Sequence, residues 1–484
     1  MARKKVTTQV ESDQISTADD DGRPRGFVVR LHPGKPTDAV NRLTKGAGLK
    51  VAHSADFTDE AAPVSLGGGD TIVLEKLGFA IVQAPAEQVA ALEVGDDSPL
   101  ASIRPELVFT VQGGEIGDLG ILVGSVPAEL PPTLPPAGSV SVSLDYLRGY
   151  QTAVNRLVSE LVGGTAAGAP AVAVVPVDES RATWGLQAVS ALSSRFSGRG
   201  VRVAVLDTGL DLTHPDFINR AVVSKSFIAG VPTAQDGHGH GTHCAGTVCG
   251  PLKPSRLPRY GGAPDVELFV GKVLGDSGSG LERGILMGIE WALDNRCRII
   301  SMSLGSPVGP GDPPDEDYES IGRTALQNDC LIVAAVGNDS KRPQVILPVG
   351  IPANSTAIMA VAALQSRDLR QFEVASFSNA SINPGGGKVD IAGPGVAVYS
   401  SWSTTARGPS ALEPRRPPSG TAYHSINGTS MATPHVAAIA AMLIEANPGV
   451  SADQVMHELT QTALALPLPS RDVGSGLAQA PQGR

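Results

Sequence analysis

The chain has 484 residues, with 38 Lys and Arg against 48 Asp and Glu, a formal charge of −10, and 42% hydrophobic beside 18% charged residues. That balance allows a buried core and a length of about two to four domains, and it argues against a surface built for nucleic-acid phosphates. Four cysteines cannot scaffold a chain of this size, and no apolar run reaches the roughly 18 residues of a membrane span.

Residues 1–24 are polar and charged and read as a flexible arm. The basic start turns acidic where a secretion signal needs an apolar stretch, so no signal peptide is legible and a cytoplasmic location is favoured over non-classical export. From Phe27 the pattern becomes structured. FVVRL reads as a strand, Thr37 to about Ala47 as a helix, TIVLEKLGFAIVQA as a hairpin, AEQVAALEV as a second helix and ASIRPELVFTV as a last strand. That order, over 25–112, suggests a small α+β ferredoxin-like sandwich. Residues 113–180 form a Pro/Gly-rich linker holding one amphipathic helix over about 143–162, whose Leu147, Val154, Leu157 and Leu161 read as a docking face.

From 181 to 484 strand and helix alternate: VRVAVLD, VELFVGKVL, the helical LERGILMGIEWALDN, RIISMSL, the helical ESIGRTALQND, CLIVAAVG, TAIMAVAAL and KVDIAGPG. Near-continuous apolar strands separated by helices indicate an α/β domain, a parallel sheet covered on both faces, with ligands bound beyond the strand C-termini. Cys244 and Cys249 on one helix would stand too far apart to bridge. Cys297 and Cys330 each precede an apolar strand, and the sequence leaves their bonding open.

The unusual residues fall at those strand ends. Asp207 ends VRVAVLD, where an isolated carboxylate needs a partner. His240 stands between Gly239 and Gly241 before a run of small residues, and imidazole chemistry suits a general base. Ser430 follows Gly428-Thr429 at the start of an Ala-rich helix that contains Pro434. Singly, each has a plain structural reading: a strand-end carboxylate, a core or metal-binding histidine, a helix cap.

Together these blocks resemble the subtilisin-like serine peptidases (subtilases). VAVLDTGLDLTHPDF, HGTHCAG and GTSMATPHV match the family's three catalytic blocks in its order Asp, His, Ser. The His block is most similar to the proteinase K branch, where a free thiol, here Cys244, lies beneath the catalytic histidine, so mercurials should inhibit. The resemblance implies a subtilisin-like parallel sheet preceded by a propeptide-type domain, over about 300 residues.

By that resemblance Ser430 is the nucleophile, His240 the base, Asp207 its orienting partner and Asn338 the oxyanion-hole amide. Gly278, Ser279, Gly280 and Leu281 on one edge and Ser303, Leu304 and Gly305 on the other would pair with an extended substrate. Gly350 would line the first specificity pocket, giving a broad or apolar preference, with Pro352 after a cis bond. The implied activity is a serine endopeptidase acting on proteins or peptides, made as a self-processing zymogen whose N-terminal domain inhibits it, and monomeric. The processing point falls between about Val111 and Arg181. The chemistry needs no cofactor; a structural Ca2+ is implied at the Thr356 and Ile358 carbonyls and Asp390. His243 and His435 are implied to be structural, Asp211 and His214 to hold a loop, and His238 either to extend the site or to be solvated. A peptide ligase with the same acyl-enzyme, or an inactive peptide-binding homologue, are the alternatives.

Overall fold

In a computed structural model the described residues are 26–46, 48–54, 70–90, 92–111, 177–366, 368–408 and 416–483. The expected N-terminal arm and the helix expected over 143–162 lie outside them.

The N-terminal part is a five-stranded sheet. In chain order it contains β1 (Phe27–Leu31), α1 (Pro36–Asn41) continuing as a π-helical turn over Arg42–Gly46, and β2 (Lys50–His53); then come β3 (Asp70–Leu74), β4 (Phe79–Gln83), α2 (Ala86–Ala90) and β5 (Leu100–Pro105). The strand order is β2-β3-β4-β1-β5, with β1 antiparallel to both β4 and β5. This is the ferredoxin-like arrangement expected, with β2 added in parallel to the β3 edge. β2 was not foreseen because KVAH is too short to show a period. The single last strand expected over ASIRPELVFTV is two, β5 and β6 (Val108–Val111). Pro105 has no N–H to continue the ladder, and the chain turns there.

Side-chain alternation sends the two faces of this sheet to different cores. Val29, Leu31, Val73 and Val82 pack on Leu43 and Val89 of its own layer, whereas Val28, Ile72, Leu74, Phe79 and Ile81 join the core of the larger domain. Each such side chain contributes about 1.5–3 kcal/mol relative to exposure. Charged groups close the contact: Arg104 donates to Glu282 at 2.6 and 2.8 Å and to Asp317 at 2.7 Å, and Arg283 pairs with the buried Glu106.

The larger domain holds α3 (Trp184–Ala188), β7 (Arg202–Asp207), β8 (Val222–Ser226), α4 (His240–Cys249), β9 (Glu267–Lys272), β10 (Ser279–Leu281), α5 (Glu282–Asp294), β11 (Ile299–Met302) and β12 (Leu304–Gly305). It continues through α6 (Glu316–Gln327), β13 (Leu331–Ala335), β14 (Met359–Ser366), β15 (Phe372–Val374), β16 (Ile391–Pro394), β17 (Val398–Ser401), β18 (Tyr423–Ile426), α7 (Thr429–Ala446), α8 (Ala452–Gln461) and α9 (Ser470–Val473). Its eight-stranded sheet runs β15-β14-β13-β11-β7-β9-β8, with β16 beside β14, and is parallel except at β15. All eight elements read from the sequence are present. β8, β15 and the β17–β18 hairpin were not read, being short or only half-buried.

Helix α7 is buried almost throughout, as an Ala-rich helix apolar on all sides must be. Pro434 lies inside it and lacks an N–H, so the Ser430 carbonyl has no helical donor. Ser303 Oγ at 2.8 Å and Cys244 Sγ at 3.6 Å take that place. A proline that weakens the helix thus ties its first turn to the strand ends that carry the site.

Candidate active site

Asp207 is the last residue of β7 and is fully buried. Its Oδ1 accepts the Thr208 N–H at 2.7 Å and faces His240 Nδ1 at 2.8 Å. His240 opens α4 behind Gly239, which sits at φ 106°, where a Cβ would run into the Trp402 ring. The start of that helix is held by Asp236, which accepts the N–H groups of His238 at 2.9 Å, Gly239 at 2.8 Å and Thr242 at 2.9 Å. A buried carboxylate is tolerable when it accepts several such donors at a helix N-terminus. Sequence reasoning passed over Asp236, although an Asp ahead of a Gly-rich helix start is a capping signal.

Ser430 is the second residue of α7. Its Oγ donates to the Ser303 carbonyl at 3.0 Å, while His240 Nε2 is buried without a partner among the described residues. Asn338 follows β13, and its Oδ1 accepts both the N–H and the hydroxyl of Thr429, at 2.9 and 3.0 Å. Spending the oxygen on Thr429 leaves the Nδ2 donors for a ligand. Thr429, which the sequence reading did not single out, thus fixes the orientation of the Asn338 amide.

The two edge segments expected to bind substrate are already paired. β6 lies between β10 and β12, antiparallel to both, with Thr110 opposite Ser279 and Gly305, Phe109 opposite Gly280, and Val111 opposite Leu304. The Val111 N–H donates to Gly278 O at 2.9 Å. Phe109 is fully buried, its ring 5.7 Å from that of Tyr318. Gly350 abuts the same region: a Cβ on it would stand 2.8 Å from Ser306 O. The bond before Pro352 is cis.

The remaining candidates separate cleanly. His243 Nε2 meets Val398 O at 2.9 Å and His435 Nδ1 meets Met431 O at 2.7 Å. Burial pushes these imidazoles down to about 3 and about 4, so both are neutral structural groups. Asp211 accepts from Thr213, Gln235 and Thr404; burial alone would raise its pKa, but these donors outweigh it and bring it down to about 2. His214 Nε2 meets Ala422 O at 2.7 Å. Both hold the loop after β7, as expected. His238 is buried, which excludes the solvated reading.

Cys244 Sγ lies 3.8 Å from His240 Nδ1, beneath the imidazole. Burial and the Asp207 charge hold its pKa well above the ordinary thiol value, so it is a thiol and no nucleophile. Cys249, Cys297 and Cys330 are also buried and free. Asp207, His240 and Cys244 could in principle ligate a metal, but Asp207 Oδ1 and His240 Nδ1 already face each other. Of the implied calcium set, Asp390 Oδ2 accepts the Ala360 N–H at 2.8 Å, while the N–H and hydroxyl of Thr356 go to Glu319. Ile358 is buried beside them.

Residues 198–476 match the model of the Subtilase family. The chain belongs to the subtilase family. M-protease of Shouchella clausii is 39% identical over 440 residues, which covers 90% of this chain and 99% of the relative. Subtilisin Savinase of Lederbergia lenta is 39% identical over 300 residues, 61% of this chain and 96% of its own. Fervidolysin from Fervidobacterium pennivorans, described as a keratinolytic enzyme related to subtilisin, superposes with a TM-score of 0.61 at 20% identity over 94% of this chain, which spans 60% of its length. The fold is thus that of the subtilisins, and this subtilase is a serine endopeptidase. No helix among its described residues is long and apolar enough to cross a membrane.

Proposed function

We propose that this endopeptidase is made as a zymogen whose own β6 occupies the cleft as a substrate would, and that it cuts itself after Gln112. The observation that carries this reading is the register of β6. Val111, the last residue of β6, faces Leu304, and the residue before Leu304 is Ser303, whose carbonyl is 3.0 Å from Ser430 Oγ. A substrate continuing that register by one residue would offer the nucleophile the bond that in this sequence follows Gln112.

In this reading His240 takes the Ser430 proton as Oγ attacks the peptide carbonyl, and Asp207 holds the imidazole with Nε2 directed at the serine. Oγ must first leave Ser303 O for the unpartnered Nε2. The tetrahedral oxygen is received by Asn338 Nδ2 and the Ser430 N–H, at the positive end of α7. His240 then protonates the leaving amine, and water repeats the sequence on the acyl-enzyme. Gly350 lines the pocket for the residue before the cut in this reading, with a broad or apolar preference. N-terminal sequencing of the purified wild type should return a new terminus at Gly113; a processed terminus elsewhere overturns the register argument.

A structural Ca2+ is proposed at Asp390 with the Thr356 and Ile358 carbonyls, hard oxygen donors that suit such an ion. The Asp390 carboxyl fits the role: burial pushes it up to about 7, with the Ala360 N–H opposing, so a bound cation would supply what the site lacks. A raised carboxyl favours the folded state at low pH, and that contribution falls as pH rises from about 4 through about 7. The gain in Tm on adding Ca2+ should therefore grow from pH 6 to pH 8, and Asp390→Asn should abolish it.

A further inference from the structure

His238 is an imidazole beside the catalytic one that takes no part in the chemistry above. Its ring is tilted at 75° to that of His240, with centroids 6.2 Å apart, and the residue is only 6% exposed. Its backbone is fixed at both ends: the N–H donates to Asp236 Oδ1 at 2.9 Å, and the carbonyl accepts from Arg416 at 2.7 Å. Nδ1 accepts the His240 N–H at 3.3 Å, so the ring proton of the neutral form is on Nε2. Burial, helped by the charges of Arg416, His240, Arg407 and Lys272, holds the imidazole well below its ordinary pKa and keeps it neutral.

Nε2 lies against Gly278, the residue before β10. Gly278, at φ 86°, has no side chain, and the place where its Cβ would stand is 2.9 Å from His238 Nε2 and 3.4 Å from Val111 Cγ2. The imidazole and the Val111 side chain therefore border the same space above this glycine. Valine offers this donor nothing, and Nε2 has no hydrogen-bond partner among the described residues.

We propose that His238 is a specificity-determining residue of this endopeptidase, whose Nε2–H selects substrates with a short hydrogen-bond-accepting side chain, Thr, Ser, Asn or Asp, at the second residue before the cut. The inference rests on the reading that substrates follow the path of β6. A donor held in place by its backbone and left unmet by an aliphatic residue discriminates against that residue, because a nearly buried polar group loses water without gaining a partner. Threonine has the shape of Val111 and adds the acceptor. Val111 itself then marks the zymogen strand as a poorer ligand than a good substrate, which favours release of the strand once it has been cut.

The test uses the processed wild-type enzyme on two peptides that differ only in Val or Thr at that residue, with product masses reporting where each is cut. The expected result is cleavage at the designed bond and a kcat/KM about 3- to 10-fold higher for Thr, the range of one hydrogen bond. In His238→Leu the ratio should fall to about 1, and because both peptides meet the same variant, a general loss of activity cancels. Equal kcat/KM for the two peptides in the wild type, or an unchanged preference in His238→Leu, overturns the role of His238 while leaving the substrate path intact. Cuts that fall elsewhere overturn the path, and this inference with it.

Discussion

Ser430→Ala should yield a folded chain that keeps its N-terminal domain attached and whose peptidase activity is lower by about 10⁶, the scale that removal of the serine or the histidine sets in subtilisin. The expected loss is this large because in the proposed mechanism Ser430 and His240 act as one unit: without Oγ the imidazole has no proton to take and no acyl-enzyme forms. Folding should survive, because what anchors this turn does not involve Oγ alone. The Ser430 carbonyl is held by Ser303 Oγ and Cys244 Sγ, and the residues around it on α7 are buried. Intact mass separates the outcomes. A single full-length species for Ser430→Ala beside trimmed wild type supports self-processing, whereas trimming of both assigns the cut to another protease. Near wild-type turnover by the variant would remove Ser430 from the mechanism.

What the sequence made legible was local. Asp207, His240 and Ser430 sit in long motifs, and the apolar runs VRVAVL and LIVAAV identify parallel strands without reference to anything distant. What it hid was pairing. Nothing in LVFTV says that Thr110 will face Ser279 on one side and Gly305 on the other, because strand register is settled by contacts more than 160 residues away. The same holds for Arg104, whose partners Glu282 and Asp317 lie on two different helices, and for the Pro105 break that turned one expected strand into two. Thr429 escaped notice for another reason: its two donors act on the Asn338 amide 91 residues away, and that pairing is not written in the sequence around it.

Asn338→Leu should lower kcat by about 10²–10³, the effect known for the corresponding amide in subtilisin, and change KM little. The split between kcat and KM follows from where the amide acts. In the proposed reading substrate is held by the edges of β10 and β12, whereas charge reaches the carbonyl oxygen only in the transition state. The direction of the amide is not left to chance. Both Thr429 donors are aimed at Oδ1, and turning the group over would set Nδ2 against them, so the amide's orientation is fixed before substrate arrives. Thr429→Ala keeps the backbone donor and loses the hydroxyl, and should therefore cost up to about tenfold in kcat, much less than loss of the amide. If Thr429→Ala were as damaging as Asn338→Leu, the threonine would be holding the α7 start and not just the amide, and a fall in Tm would accompany it. A KM rise with unchanged kcat in Asn338→Leu would place the amide in ground-state binding and remove it from the oxyanion site.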